Sequence, residues 1–463
     1  MTVTNEPKIW DREVILKYNI SGPRYTSYPT AVQFEDFDPT RTLEIAQKHK
    51  NSHKSLSLYV HVPFCRHICF YCGCNKIATK DPARADAYLD ILEKEMQMLA
   101  PYFSERPVRQ LHWGGGTPTF LSVDQIKRLF LIIKKNFSLL ADDLGEYSIE
   151  IDPRVTSRDQ LVLLRELGFN RISLGVQDFN PDTQVAINRL QSYDMVSEMM
   201  HIARQNGFFS VSFDLIYGLP KQTRESFDRT IEQVIALNPD RIAVYNYAHL
   251  PERFLPQRRI NESELPSPEE KLNILDSCIH ALQQAGYVYI GMDHFAKPGD
   301  DLVEALNEGT LQRNFQGYST YGNMDMLGLG VSSISYINQT FVQNYRDIEQ
   351  YEQVISSGKL ASFKGYQLND DDLIRQRVIQ ELSCNGRLKF DALDEQFDID
   401  SRAYFADEIR RLAFLADDGL VTVDNHAIQV TKAGRLLLRP ICMVFDAYLQ
   451  KSPTNKNRFS KVL

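Results

Sequence analysis

The sequence predicts an α/β protein: a partial (β/α)6-type barrel carrying an N-terminal arm and a mainly α, winged-helix-like C-terminal domain. Three observations predict it. A strand–loop–helix rhythm runs from about residue 55 to 250, glycines fall where its helices should end, and the pattern changes character after about residue 345.

The strand candidates of the rhythm are residues 56–62, 110–113, 147–151, 171–176, 210–216 and 241–247, each short and rich in β-branched or aromatic side chains. Between them, residues 84–98, 123–135, 157–167, 193–205 and 224–237 repeat apolar positions at three- and four-residue intervals, as amphipathic helices do. Gly168 and Gly207 stand at expected helix C-caps. Strands alternating with helices imply a parallel sheet with right-handed crossovers. Six such units favour a barrel or partial barrel over an open three-layer sheet.

A proline- and charge-rich loop, residues 251–268, interrupts the rhythm; a helix (269–284) and a strand (287–291) are expected after it. Beyond it, residues 370–382, 401–415 and 431–449 read as helices, and 417–430 as a β-hairpin with an Asp-Asn turn. Helices followed by a short hairpin have the layout of a winged helix. With no basic stripe on the candidate recognition helix, a docking or lid domain is the expectation, not nucleic-acid binding. Near the start, residues 20–30 (ISGPRYTSYPT) cannot continue as a helix and read as an ordered arm. The expected division is therefore an arm over 1–50, a catalytic barrel over 51–345 and a helical domain over 346–463.

The chain has 463 residues, 43% hydrophobic and 24% charged, with a formal net charge of −8, which argues against a general nucleic-acid binder. The first residues mix charges of both signs without an apolar core, so no secretory signal is expected. The most apolar short run, 129–133, is far too short to span a bilayer. A cytoplasmic setting follows. Seven cysteines is an odd number, and four lie too close together for a disulfide framework; in a reducing compartment such a group is a metal site.

Those four are Cys65, Cys69, Cys72 and Cys74. The spacing Cys-x3-Cys-x2-Cys offers three thiolates, where an iron–sulfur cubane normally takes four. Three ligands leave one iron open, as a catalytic zinc site keeps one position free. The rival is a structural zinc site completed by Cys74 or His67. The motif follows the first strand, at the end of the barrel where active sites are built. The second strand ends in Gly114-Gly115-Gly116-Thr117, which lets backbone approach a ligand closely. Polar residues then mark later strand ends: Glu150 and Asp152, Gln177 and Asp178 with Arg189 beyond, Asp214, then Asn246, Ala248 and His249. Each alone reads as a cap or a satisfied core group. Together such ends converge on one cavity. They suit a ligand with a carboxylate, met by Arg189, and an ammonium and hydroxyls, met by carboxylates and Gln177.

These residues resemble the radical S-adenosylmethionine superfamily. Residues 23–30 (PRYTSYPT), 59–65 (YVHVPFC), 72–76 (CGCNK), 175–179 (GVQDF), 214–220 (DLIYGLP), 245–250 (YNYAHL) and 314–318 (NFQGY) look like its oxygen-independent coproporphyrinogen III oxidase family, over nearly the whole chain. The resemblance implies a radical SAM barrel in which Cys65, Cys69 and Cys72 ligate a [4Fe–4S] cluster, and two S-adenosylmethionines. Tyr71, Gly116, Thr117, Gln177, Arg189, Asp214 and Ala248 would contact one, and Tyr59, Gly115, Glu150 and Ile334 the other. Cys74 matches a cysteine that is not a ligand; His61 and Cys74 are candidates for proton or substrate roles. The implied reaction converts two propionates of coproporphyrinogen III to vinyl groups, giving protoporphyrinogen IX. It needs an external one-electron donor, and a monomer without nucleic-acid or membrane partners is expected. Arg24 and Arg154 are candidates for the substrate's carboxylates.

Two rivals stand beside this reading. The related haem chaperone typically has Cys-Asp-Phe where this chain has Cys72-Gly73-Cys74, and it lacks the segment around Arg24. The other is a zinc-stabilised regulator with a winged-helix reader.

Overall fold

The structure, a computed structural model, describes residues 11–141, 143–451 and 459–461. The first ten residues of the expected arm, and residues 452–458 and 462–463 of the expected C-terminal domain, lie outside the described residues. The chain divides into two compact units, one formed by 34–285 with 323–367, the other by 1–33, 286–322 and 368–463. The segmentation differs from the linear three-part division read from sequence, because each unit is assembled from separated stretches.

The larger unit is built on the six expected strands: β1 (Leu56–Val62), β2 (Pro107–Gly115), β3 (Glu146–Ile151), β4 (Arg171–Gln177), β5 (Ser210–Tyr217) and β6 (Arg241–Asn246). Each pairs in parallel with its neighbour in sequence order. Helices α1 (Ala83–Phe103), α2 (Val123–Asn136), α3 (Arg158–Glu166), α4 (Tyr193–Gln205) and α5 (Arg224–Leu237) connect them, followed by α6 (Pro268–Gln284). Local chemistry sets their starts. Ser122, Ser157 and Thr223 each accept from the backbone N–H three residues on, while the residue-three side chain returns the bond; such a capping box satisfies two otherwise orphaned donors. In β1 six of seven residues are buried, as expected of a parallel strand covered on both faces.

The sheet then continues on the other side of β1, which the six-unit rhythm did not foretell. β7 (Asp325–Leu329) pairs in parallel with β1. β8 (Ile334–Ile337), β9 (Thr340–Asn344) and β10 (Ser362–Gln367) follow it antiparallel, with α7 (Ile348–Ser356) between the last two. The strand order is an open path, so the barrel is partial. One fully buried carboxylate ties this extension down. Glu95 of α1 accepts from the Gly330 N–H (2.7 Å), Asn344 Nδ2 (2.6 Å) and Tyr351 Oη (2.8 Å). Three donors offset the desolvation cost of a buried carboxylate.

The smaller unit holds the expected arm only as far as Gln33; residues 34–50 belong to the larger unit. Arg439 donates to the carbonyls of Pro23 (3.0 Å) and Lys461 (2.7 Å), and Tyr25 donates to the buried Asp446 (3.0 Å). The expected hairpin is present as Val421–Val423 and Ala427–Val430, joined by Arg387–Lys389 into a three-stranded sheet. The expected helix over 431–449 is instead three short segments, Gly434–Leu437, Leu438–Met443 and Ala447–Lys451. Asp446 interrupts it by accepting from the N–H groups of Tyr448 (2.9 Å) and Leu449 (3.2 Å), the bonding of a new helix start. Among the described residues, no helix is long and apolar enough to cross a membrane.

Candidate active site

Just past β1 the chain forms a short parallel bridge, Phe64–Cys65 with Ile77–Ala78, which closes the cysteine loop at its base. Ile77 N–H donates to the Pro63 carbonyl (2.7 Å) and Thr79 N–H to that of Cys65 (2.9 Å). Cys65 and Cys69 are buried, Cys72 is half-buried and Cys74 exposed. Cys65 Sγ lies 3.4 Å from Thr117 Oγ1. Cys69 Sγ accepts from Arg154 Nη2 (3.3 Å) and Arg189 Nη1 (3.5 Å). Cys72 Sγ accepts from the Cys74 N–H (3.4 Å). Burial pushes the Cys65 thiol up to about 11, whereas hydrogen bonding from Cys74 holds Cys72 down to about 5.

The glycine run at the end of β2 lies against this loop. Gly116 N–H donates to the Val62 carbonyl (2.8 Å) and Thr117 N–H to that of Phe64 (2.9 Å). A Cβ on Gly116 would stand 2.7 Å from the Pro63 carbonyl carbon, and one on Gly115 (φ +112°) 2.6 Å from the His61 ring. Glycine here permits contact of backbone with backbone.

The remaining strand ends form two groups. The first surrounds Arg189. Its Nη2 donates to the Gly175 carbonyl (2.6 Å) and its Nη1 to Asp152 (3.2 Å), which also holds Arg154 at 2.6 Å. Gln177 sits beside it in a left-handed conformation (φ +66°), at a register break in β4. A Cβ on Gly175 would meet both Arg189 Nη2 and Gln177 Nε2 at 2.9 Å. Tyr71 and Ala248 are joined by Gln257, whose Nε2 donates to both carbonyls (2.9 and 3.3 Å). Asp214 accepts from Ser173 Oγ (2.9 Å), and burial, followed by the Glu150 charge, raises its carboxyl to about 6.

The second group lies along β1–β3. Tyr59 stacks on His112 (5.9 Å, 15°) and meets His61 Nδ1 at 3.0 Å. Glu150 meets His112 Nε2 at 3.3 Å and accepts from the Gly115 N–H (3.3 Å). Ile334 packs its backbone on Gly328, the residue paired with Tyr59 across β7 and β1. The cofactor residues expected from sequence thus sort into one set around Arg189 and one around Tyr59, with Thr117 and Cys65 at the cysteine loop.

Other expectations meet different geometry. Asp178 is a core group, accepting from Gln222 (2.7 Å) and Thr230 (2.5 Å). Arg154, expected to meet substrate, is committed to Asp152 and Cys69. Arg24, in the smaller unit, is paired with Asp293. His249 bridges Tyr247 (2.8 Å) and Glu262 (3.1 Å). Residues missed are His112 and Gln257. His112 carried a signal, since period two puts it on the same face as Gly114; Gln257 carried none.

The donor set fits the implied cluster. Three thiols share one loop, and two guanidiniums donate to the Cys69 sulfur. Among the described residues no three His, Cys, Asp or Glu groups gather as a single metal ion requires; a cubane instead takes one cysteine at each iron. Arg189 Nε and Asn246 Oδ1 are buried without a protein partner, as polar atoms awaiting a ligand are.

The Radical SAM superfamily profile matches residues 59–234, and that of the HemN C-terminal domain matches 368–437. Oxygen-independent coproporphyrinogen III oxidase of Pseudomonas aeruginosa is 51% identical over 98% of this chain and 99% of its own length. The Synechocystis protein of that name is 42% identical over the full length of both. The solved Escherichia coli coproporphyrinogen III oxidase (HemN), described as a radical SAM enzyme, superposes with a TM-score of 0.91 at 49% identity, covering 95% of this chain and 99% of its own. The chain belongs to the oxygen-independent coproporphyrinogen III oxidase family, within the radical SAM superfamily.

Proposed function

We propose that this enzyme converts two propionates of coproporphyrinogen III to vinyl groups, yielding protoporphyrinogen IX. Each propionate loses one hydrogen atom from its β-carbon, then CO2 and one electron. The observation that carries the residue assignment is the pair of polar groups flanking the three-cysteine loop, one around Arg189 and one around Tyr59. Two such groups match the use of two S-adenosylmethionines.

Cys65, Cys69 and Cys72 would hold a [4Fe–4S] cluster through three of its irons. With S-adenosylmethionine bound, the cluster would supply the one electron that cleaves it to methionine and a 5′-deoxyadenosyl radical. The chain's own residues place and shield that chemistry. In the first group Arg189 presents its guanidinium to a carboxylate, Gln177 and Asp214 receive ammonium and hydroxyl donors, and Tyr71 and Ala248 form the wall fixed by Gln257. In the second, Tyr59, Gly115, Glu150 and Ile334 would contact the other S-adenosylmethionine. His61 is buried between Tyr59 and the Asn75 carbonyl (2.9 Å), and burial keeps its imidazole neutral. A cytoplasmic monomer fed by an external one-electron donor completes the reading.

An anaerobic assay with reconstituted cluster, reductant and coproporphyrinogen III tests it. CO2 release with vinyl formation is expected. Haem binding without CO2 release would make the protein a haem chaperone, and zinc without acid-labile sulfide would make it a zinc-stabilised regulator.

A further inference from the structure

The outer side of the cysteine loop carries exposed arginines and aliphatic side chains, in a chain whose formal net charge is −8; Glu252 is exposed there too, while Glu262 and Glu264 are engaged by His249 (3.1 Å) and Lys221 (3.8 Å). The thiols of Cys65 and Cys69 turn inward, to Thr117 and to Arg154 and Arg189. Arg66 and His67, between those two cysteines, are exposed.

Two neighbouring segments frame this ridge. The Phe70 N–H donates to the Ile187 carbonyl (2.9 Å), and Asn188 Nδ2 donates to that of Ile68 (2.8 Å). Segment 185–190 is thereby fixed to the loop, with Val185 and Leu190 each 62% exposed. On the other flank, Gln257 holds the Tyr71 carbonyl and Phe254 packs on Gly73. This flank brings Leu255, 67% exposed, and three arginines. Arg253 lies over Phe254 (5.5 Å), Arg259 over Phe70 (5.3 Å), and Arg258 donates to the Pro251 carbonyl (3.1 Å). Arg66 lies over Phe120 (5.8 Å). Among the described residues none of these four guanidiniums forms an ion pair with a carboxylate of the chain.

Unpaired arginines around exposed aliphatic side chains make the kind of surface that protein interfaces use: apolar contact at the centre, charge at the rim. From this we infer that the patch formed by Arg66, Arg253, Arg258 and Arg259 with Val185, Leu190 and Leu255 docks an acidic protein that carries one electron. The inference rests on the reading of Cys65, Cys69 and Cys72 as cluster ligands. An acidic surface around the carrier's redox group complements the four guanidiniums and steers its approach. The ridge 66–68 then places that group beside the three-residue stretch of chain between Cys65 and Cys69. With a flavin carrier, the anionic hydroquinone gives up one electron to become the neutral semiquinone, and the oxidised cluster gains that electron; no proton changes hands.

The test uses the reconstituted holoenzyme and a photoreduced acidic flavodoxin. Cluster reduction is followed by absorbance bleaching and the paramagnetic signal of the reduced cluster, and complex formation by titration calorimetry at low and high salt. The variant Arg253→Glu/Arg258→Glu/Arg259→Glu is compared with Lys127→Glu/Lys134→Glu, exposed lysines of α2. Iron and acid-labile sulfide content and reduction by dithionite establish that each variant keeps its cluster. The expected result is about a tenfold or greater loss in flavodoxin affinity and reduction rate for the arginine variant at low salt. That loss should shrink at high salt, with dithionite reduction unchanged and the lysine variant close to wild type. An unchanged flavodoxin rate, an equal loss in the lysine variant, or an equal loss with dithionite would each overturn the proposal. Absence of sulfide from wild type would remove the cluster reading instead.

Discussion

Asp152 serves two guanidiniums at once: its Oδ2 lies 3.2 Å from Arg189 Nη1 and 2.6 Å from Arg154 Nη2, and both arginines also reach Cys69. All three side chains are nearly buried, with 7–11% exposed. Burial pushes the Asp152 carboxyl up, but the two arginines outweigh it and hold the group down to about 2. The stability from this depression is present above the ordinary aspartate range and is lost as pH falls towards 2. Asp152→Asn leaves two buried cations facing one sulfur. Breaking a buried ionic arrangement costs about 3–5 kcal/mol. Urea unfolding of the apo-protein at neutral pH should show that loss; a change below about 1 kcal/mol would mean that the arginines find other partners.

The cysteines should divide three to one. Cys65→Ala, Cys69→Ala and Cys72→Ala are each expected to lose most bound iron and sulfide after anaerobic reconstitution. Cys74→Ala should retain them, because Cys74 is exposed and its backbone N–H, which alanine keeps, still donates to Cys72 Sγ; only the thiol's own bond to Cys72 is lost. Iron and acid-labile sulfide analysis decides. A Cys74→Ala protein without iron would make Cys74 a ligand.

The parallel core was readable because its strands and helices obey local rules. Residues 56–62 and 224–237 are each an element to the residue, the first because Leu56, Leu58, Val60 and Val62 alternate along it with Tyr59 between them, the second because a capping box starts it. β7 was not readable: Asp325–Leu329 is only five residues, one of them Gly328, with no helix directly after it, so only its pairing with β1 makes it a strand. The single helix read over 401–415 is split at Phe405, whose fully buried ring anchors the break. At the site, residue types at strand ends pointed to a cavity. They could not show that Asp178 is consumed by Gln222 and Thr230, or that Arg154 is taken by Asp152, because those partners lie 44, 52 and two residues away in directions only the fold sets.

Asp214 gives the site a pH dependence. Burial, reinforced by Glu150, raises its carboxyl to about 6. A raised aspartate binds more protons folded than unfolded, so its contribution is present below about pH 4 and lost as pH rises through about 6. The cost above that range is about 2 kcal/mol after allowance for partial exposure. Asp214→Asn should therefore be more stable than wild type at pH 7 and not at pH 4, in urea unfolding of the apo-protein. S-adenosylmethionine affinity should move the other way: wild type should bind less tightly below about pH 6, and Asp214→Asn should bind weakly at every pH. Equal pH profiles for the two proteins, by calorimetry, would remove Asp214 from the ligand's cationic end.

The three glycines at the end of β2 and just past it should differ in what they tolerate. At Gly114 a new Cβ meets the Glu150 carboxylate at 3.1 Å, the mobile end of a side chain that can swing away. Gly114→Ala should cost no more than about 1 kcal/mol. At Gly115 the Cβ meets the His61 ring at 2.6 Å, and φ is +112°, where a side chain adds its own strain. At Gly116 the obstacle is backbone: the Pro63 carbonyl carbon and oxygen at 2.7 Å and the Phe64 oxygen at 2.8 Å, in the segment that leads into Cys65. Backbone has no rotamer to change, so Gly116→Ala must push the cysteine loop off β2, breaking the Gly116–Val62 and Thr117–Phe64 bonds that hold it. A loss of about 3 kcal/mol is expected, together with reduced iron uptake, because the displaced strand carries Cys65. Melting temperatures and iron content of the three alanine variants should therefore fall in the order Gly114, Gly115, Gly116. A Gly116→Ala protein that melts and loads iron like wild type would show that the loop does not depend on its backbone contact with β2.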